Sequence, residues 1–350
     1  MRDRESGPQP GRARDVSEKD RVMILAGDIG GTNSRLANFE VVQGRVHPIV
    51  EETFPSRGSA SLDDIVRTFV SKHNLRITHA CFGIAGPIRH GRSEAINLAW
   101  VVDGQRLAQE LGLATVGLIN DLEANAYGAA ALAPEDFAVL NEGAAEAEGN
   151  AAVIAAGTGL GEAGLYWDGK QHWPFASEGG HASFAPDDAL QVELLQYLQQ
   201  RFGHVSWERV LSGPGLHNVY TFLRDTQRGV EPAWLTEELR QGDPSAAISR
   251  AALADTCDLC VQTLDLFVTL YGAEAGNLAL KVMATGGVFV GGGIAPRIVD
   301  KLKGAGFNQA FCAKGRLQPV LEAIPIRVIM NDKTALYGAA RCAALRAAML

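Results

Sequence analysis

The chain has little cysteine, and its five copies, at positions 81, 257, 260, 312 and 342, are scattered and odd in number. That excludes a disulfide framework and suits a reducing compartment. Only Cys257 and Cys260 form a Cys-x-x-Cys pair, and no second Cys or His pair lies near it to complete a zinc or redox motif. With Leu253, Val261, Leu264 and Val268 they recur at helical spacing, which predicts core positions on one helix over 253–271. A run of about 18 apolar residues is also missing, so no transmembrane helix is expected and no membrane partner. Charge of one sign is modest: 32 basic against 40 acidic residues gives −8. A mildly acidic chain is not built for nucleic acid or an anionic membrane. A bound phosphate stays open, because backbone amides hold phosphate whatever the global charge. Residues 1–20 are charged, rich in Gly and Pro, and have no apolar centre. They read as a disordered extension rather than a signal peptide. Asp3, Glu5, Asp15, Glu18 and Asp20 count against a transit peptide, and a cytoplasmic location is expected.

At 350 residues the chain exceeds what one hydrophobic core usually supports, which predicts two domains. An apolar run over 22–26 ends in Gly27-Asp28-Ile29-Gly30-Gly31-Thr32, and an alternating run over 34–42 follows at once, the pattern of a β-hairpin. Gln43-Gly44-Arg45 turns into a third extended segment near 46–53. Leu62, Ile65, Val66, Phe69 and Val70 mark a helix face, and 77–85 reads as a strand. A buried strand over 116–119 ends at Asn120-Asp121, before a helix-prone Ala-rich run over 122–132. The strand over 151–156 ends in Gly157-Thr158-Gly159-Leu160-Gly161, with a returning strand over 162–167 and a turn at Asp168-Gly169. Strand, Gly/Thr turn, strand, turn, strand thus occurs twice, a duplication of topology that predicts two lobes around a cleft. Glu142 to Asn150 reads as a surface loop near the domain border. The second half is helical over 190–202, 214–224 and 253–271, with a Gly-rich stretch at 286–293 and a closing helix over 334–349.

Glycines in the first turn let the backbone approach a phosphate, the Thr32 hydroxyl can donate to it, and Asp28 at the strand end suits a magnesium ion held through water. The turn lacks the lysine of a Gly-x-x-x-x-Gly-Lys-Ser/Thr loop. A plain glycine turn explains it equally well until Thr158 repeats the chemistry, when two such hairpins can grip one triphosphate from both sides. Asn120-Asp121 has two readings of equal weight. It is a helix N-cap, or a carboxylate at the carboxyl end of a buried strand, facing a cleft where it can take a proton from an attacking hydroxyl. Ser177-Glu178-Gly179-Gly180-His181 joins a carboxylate and an imidazole, groups that suit vicinal hydroxyls. Glu208 is unremarkable by itself.

Six segments in order, 27–35 (GDIGGTNSR), 119–123 (INDLE), 156–161 (AGTGLG), 177–181 (SEGGH), 208–215 (ERVLSGPG) and 286–294 (GGVFVGGGI), resemble the bacterial-type glucokinases of the hexokinase/actin-like superfamily. The resemblance covers the chain apart from the extension. It implies a two-lobed actin-like/ribonuclease H-like α/β fold, with a small domain over 21–131 plus 332–350, a large domain over 132–331, and a cleft that closes on the sugar. It implies transfer of the γ-phosphoryl group of Mg-ATP to the 6-hydroxyl of glucose, the first step of glycolysis, commonly by a homodimer. By motif, Asp121 would be the general base, and Asn120, Asp121, Glu178, His181 and Glu208 would bind the sugar. Gly27, Asp28, Ile29, Gly30, Gly31, Thr32 and Asn33 would hold ATP, with Gly157, Thr158 and Gly159, and Gly291, Gly292 and Gly293 would line the nucleoside pocket. Mg2+ would sit by Asp28 through water.

The chain departs from the repressor-like branch of these kinases, which carries a Cys/His zinc motif after the Glu-Gly-Gly-His, since residues 182–188 contain no Cys and residues 1–20 cannot hold a helix-turn-helix. Two other functions fit less well. A non-catalytic sugar sensor conflicts with the intact Asp121 and both Gly/Thr turns. An ATPase, or a kinase for another hexose, differs only in what the cleft admits.

Overall fold

The computed structural model describes residues 22–94 and 100–348. The extension expected over 1–20, and Met349 of the closing helix, lie outside them. The first alternating runs become β1 (Met23–Ile29), β2 (Asn33–Val42) and β3 (Arg45–Pro55), with Gln43 and Gly44 turning at φ 51° and 72°. The helix Leu62–Lys72, N-capped by Ser61, leads to β4 (His79–Ile84). Three short strands unforeseen from the sequence, β5 (Ile88–Arg89), β6 (Arg92–Glu94) and β7 (Val101–Asp103), form a small sheet of their own. After the helix Gly104–Leu111, β8 (Gly117–Asn120) runs straight into the helix Asp121–Ala129.

The same pattern then recurs. The strands are β9 (Phe137–Asn141), β10 (Ala151–Ala156), β11 (Leu160–Trp167), β12 (His172–Ser177), β13 (Gly287–Gly291) and β14 (Ile326–Ile329). The first sheet has the order β3-β2-β1-β4-β8, and the second has β12-β11-β10-β13-β14-β9. Along each order the first two pairings are antiparallel and the next two parallel. The duplication expected from the two Gly/Thr hairpins is therefore present strand for strand, with β9 added antiparallel at one edge. The loop from Glu142 to Asn150 joins two strands of this second sheet rather than marking a border.

One helix expectation needs correcting. The single helix read over 253–271 is two: Pro244–Leu253 ends, and Asp258–Val282 begins. Asp255 takes a left-handed φ of 54° and Cys257 is extended, so the chain leaves the helix although the apolar spacing continues across the break. Periodicity alone cannot register such a kink. Cys257 and Cys260 are both buried in the core.

Apolar side chains on the two faces of each sheet point into different cores, as strand alternation requires. On one face of the first sheet, Leu25, Leu36, Phe82 and Leu118 meet Ile65, Phe69 and Leu107 from its helices. On the other, Ile24, Ala37, Phe39 and Ile119 meet the closing helix Thr334–Arg346. The second sheet directs Ile154, Val288, Val290 and Val328 at the long helix Asp258–Val282 and its neighbours. Its opposite face, with Ala151, Val153, Ala163 and Leu165, is covered by Ala126 and Ala129 of the Asp121 helix. That helix also supplies Ala124 and Tyr127 to the core under the first sheet. Positions 124 and 127 share one side, and 122, 126 and 129 another. A helix apolar on two sides belongs between two layers, and this one lies between both sheets.

Its fit against the closing helix depends on two glycines. A Cβ on Gly128 would come 2.0 Å from the Thr334 carbonyl oxygen, and one on Gly338 would come 1.7 Å from that of Ala124. Both obstacles are backbone, so no rotamer relieves them. Gly338→Ala is expected to destabilise the fold by about 3 kcal/mol or more. Gly306→Ala, inside the helix Ala305–Cys312 with its nearest neighbour at 3.6 Å, should be neutral or slightly stabilising. Urea denaturation of the two variants beside the parent checks the contrast.

Candidate active site

The first Gly/Thr turn is built from behind. Gly30 N–H donates to the Asn33 carbonyl at 3.0 Å, closing the turn. Ser56, just beyond β3, donates its backbone N–H to Thr32 O at 2.8 Å and its hydroxyl to Gly30 O at 2.7 Å. The backbone is thereby fixed while Thr32 and Asn33 stay exposed. Gly27 is glycine for packing, since a Cβ there would lie 2.4 Å from the Phe82 ring. Asp28 stands opposite Arg35 on β2 and beside Gly83 on β4. Burial pushes its carboxyl up to about 6; Arg35 opposes the rise, and Asp121 and Asp332 add to it. Arg35 in turn reaches the Asp332 carboxylate at 2.7 Å and its carbonyl at 2.8 Å.

The capping role that the sequence left open at Asn120-Asp121 falls to Asn120. Asn120 is the N-cap, its side chain accepting from Leu122 N–H at 2.8 Å and donating to Gly86 O at 3.3 Å. Asp121 is the first helical residue; its Oδ1 shares the Leu122 N–H at 2.9 Å. The helix start can sit on β4 because position 83 is glycine: a Cβ there would meet the Ala124 Cβ at 2.8 Å. Burial raises the Asp121 carboxyl above the ordinary range; hydrogen bonds from Leu122 N–H and the Asn120 side chain hold it down, and the charge of Glu178 lifts it. Asp28 and Glu178, from different sheets, are thus both electrostatic neighbours of Asp121.

The second turn faces these groups from the other sheet. Gly157 N–H donates to Gly159 O at 2.8 Å, and Gly213 N–H ties the turn to the helix Gly213–Asp225 through Gly157 O at 2.8 Å. Thr158 is exposed. Glu208, unremarkable in the sequence, is held close: its Oε2 accepts from Leu160 N–H at 3.0 Å, and its Oε1 lies 3.8 Å from His181 Nε2. Gly180 lies directly on the Leu160 carbonyl, 2.1 Å from where its Cβ would be. The third glycine segment crosses behind this turn, where Gly292 takes φ 82° and Ile294 N–H donates to Ala156 O at 3.2 Å. Two Gly/Thr turns on duplicated sheets thus stand with Asp121, which has Asp28 and Glu178 as electrostatic neighbours, and with His181 beside Glu208.

The glucokinase family model matches residues 25–346. The chain belongs to the glucokinase family. It is 42% identical over 339 residues to the glucokinase of Trichormus variabilis, across 92% of this chain and 99% of that one. It is 43% identical over 338 residues to that of Nostoc punctiforme, across the same shares. Among solved structures, a glucokinase from an Antarctic psychrotroph superposes with a TM-score of 0.83 at 33% identity, over 92% of this chain and 98% of that one. A ROK family glucokinase from Streptomyces griseus, solved with glucose and AMPPNP, shares the fold at TM-score 0.58 and 22% identity, over 93% and 99%. This protein is accordingly an ATP-dependent sugar kinase with the actin-like fold of that superfamily.

Beside the second turn lies a cavity of about 930 Å³, ample for a nucleoside. Gly157, Thr158 and Gly293 line it, whereas Gly159, Gly291, Gly292 and the first turn do not. Much of the remaining wall comes from the start of the helix Pro244–Leu253, with Asp243, Ser245 and Ser249, and from His217 and Arg297. Nothing in the sequence marks these residues beyond the Asp-Pro of a helix start. Tyr271, 0% exposed, fixes the strands behind the cavity. Its hydroxyl accepts from Ala156 N–H at 3.1 Å and faces the carbonyls of Gly291 at 3.2 Å and Ile154 at 3.4 Å, spanning β10 and β13. Tyr271→Phe should cost about 1–3 kcal/mol, because a buried backbone N–H loses its acceptor. Affinity for an ATP analogue should fall with it, as measured by urea denaturation and titration calorimetry; an unchanged affinity would separate Tyr271 from the nucleotide site.

Proposed function

We propose that the protein transfers the γ-phosphoryl group of Mg-ATP to the 6-hydroxyl of glucose, with Asp121 as the general base. The observation carrying this reading is the position of Asp121 between two unlike neighbours. Asp28, on one side, belongs to a phosphate-type turn; Glu178, on the other, belongs to a group suited to sugar hydroxyls. Because Asn120 performs the capping, the Asp121 carboxylate keeps an oxygen for the substrate. A carboxylate so placed can accept the hydroxyl proton as the oxygen attacks phosphorus, and phosphoryl transfer then needs chiefly alignment and charge stabilisation.

Asn120, Glu178, His181 and Glu208 take the other sugar hydroxyls. Residues 27–33 and 157–159 hold the phosphates, and the segment at Gly291, Gly292 and Gly293 borders the nucleoside. The donor chemistry fits magnesium. Asp28 offers a hard oxygen whose ionisation a nearby cation would favour, and no three ligating side chains converge among the described residues to trap a metal without the nucleotide. When bound with ATP, the ion would neutralise phosphate charge beside Asp28. The small domain, 21–131 plus 332–350, and the large domain, 132–331, would close on the sugar, excluding water as a competing nucleophile. A cytoplasmic homodimer is the proposed form; five free cysteines support the reducing compartment, and family resemblance supports the dimer.

Asp121→Asn should keep glucose binding and lose about 10²–10⁴-fold in kcat, measured by a coupled glucose 6-phosphate assay and by calorimetry. In the parent, kcat should fall on acidification at a pH above the ordinary Asp range, since the raised carboxyl must be ionised to act. Near-normal turnover in the variant would remove the base assignment. A panel of hexoses crossed with phosphoryl donors, run in the same assay, tests glucose and ATP themselves.

A further inference from the structure

Under the turn that carries Glu178 and His181 lies a pair of acids with no part in the proposed chemistry. Glu162, on β11, is 1% exposed, and Glu274, in the helix Asp258–Val282, is 0% exposed. Glu162 stands opposite Ser177 across the strand pair, next to Glu178. Gly179 rests on its carboxyl: a Cβ there would lie 1.9 Å from Glu162 Oε2 and 3.1 Å from Ser177 Oγ. Any larger residue would have to displace that carboxyl, so the turn and the Glu162 side chain are placed together.

Glu162 Oε1 is buried with no hydrogen-bond donor. Glu274 is well supplied: Lys281 Nζ donates to Oε1 at 3.0 Å and Asn277 Nδ2 to Oε2 at 2.8 Å. Its carboxyl is an electrostatic neighbour of Glu162. Lys314 lies against the same helix, its Cε 3.0 Å from a Cβ position on Gly276, and feels both Asp187 and Glu274. Lys281 and Lys314 therefore offset Glu274 and Asp187, and a charge on Glu162 would be in excess. An ionised, unpaired carboxylate in such a place costs several kcal/mol. A neutral Glu162 avoids that cost and carries an O–H that can donate to the Glu274 carboxyl.

We propose that Glu162 is a positioning residue for the sugar: as the protonated partner of Glu274 it supports Gly179 and thereby fixes Glu178 and His181, and its ionisation releases the turn. The inference rests on reading Glu178 and His181 as sugar ligands. Burial, then the charge of Glu274, raises the Glu162 carboxyl to about 7 against the pull of Lys281. Its folded-state affinity for the proton exceeds the unfolded one, so the support is complete below the ordinary Glu range and is lost as pH rises through about 7.

The test measures glucose KM and kcat from pH 6 to 9 at saturating ATP, with calorimetric glucose binding in parallel, for the full-length protein, Glu162→Gln and Glu274→Gln. In the parent, KM should rise about tenfold above neutrality, with kcat changing far less. Glu162→Gln keeps a donor toward Glu274 and cannot ionise, so its KM should stay flat. Glu274→Gln removes the repelling charge and should flatten the profile too, which keeps the test available should Glu162→Gln fold poorly. A parent KM without alkaline rise, or a rise that persists in both variants, overturns the inference. So does a lowered melting temperature with unaltered glucose binding at every pH. Glu178→Gln separates the two levels. If it leaves KM unchanged, the sugar-ligand reading fails; if it raises KM while the Gln variants keep the parent's pH profile, only the positioning role fails.

Discussion

The close contact between the helix Asp121–Ala129 and the closing helix Thr334–Arg346 is the constraint on which the rest of the molecule depends. Backbone meets backbone at Gly128 and Gly338, with no room for a single carbon at either crossing. That approach lets one short helix fill two cores at once, Ala124 and Tyr127 under the first sheet and Ala126 and Ala129 against the second. A bulkier seam would push the sheets apart and carry Asp121 away from Glu178. Interiors packed at crystal density transmit such displacements rather than absorbing them. Gly83 and Gly161 extend the constraint to the helix start, where Cβ atoms would strike Ala124 and Leu122. The Asp121 end of the helix is thus located by what its other end touches.

Much of this was legible in the sequence, and the reason differs from part to part. The duplicated sheet could be read because a hairpin of alternating runs closed by a Gly/Thr turn is a local signal, repeated near residues 28 and 158. The two-sided helix was visible only as an Ala-rich stretch: small residues carry little amphipathic signal, and the significance of Gly128 lies in a partner two hundred residues away. The break at Asp255 was hidden because apolar spacing survives a kink that the backbone does not. Asn120-Asp121 reads in the sequence as cap or base, and the coordinates give the cap to Asn120. Glu208 and the Pro244 helix are the opposite case. Their geometry is plain in three dimensions, yet a lone glutamate and an Asp-Pro helix start look the same wherever they occur.

The hydrogen bonds around the second turn show how a loop becomes rigid without being buried. Thr158 is exposed, but the backbone on both sides of it is tied down, at Gly157 to Gly213 and at Leu160 to Glu208. Ser212 donates to Glu208 O at 2.7 Å and caps the following helix by accepting from Gly215 N–H at 3.0 Å. Trp207, 1% exposed and edge-on to Phe184 at 4.9 Å, anchors the segment in the core. Glu208 is therefore presented by a fixed scaffold, and so is His181 across from it. Preorganisation of this kind matters most where the substrate offers only hydroxyls, since each misplaced acceptor forfeits a hydrogen bond that water makes equally well.

The site is more acidic than a binder of triphosphate would suggest, and that imbalance has a physical use. Asp28 and Asp121 are both held above the ordinary carboxylate range, chiefly by burial and partly by their charged neighbours. Repulsion among these carboxyls is relieved only in part, by Arg35 beside Asp28. A sugar hydroxyl donating to Asp121, and a cation arriving with the nucleotide beside Asp28, would each favour the ionised form. Under the proposed mechanism, the charge state required of Asp121 would then be reinforced by the ligands whose reaction it would serve. With one ligand missing, part of that reinforcement is missing as well. An acidic pocket that accepts an anion only together with its counter-ion discriminates against free phosphate compounds by electrostatics alone.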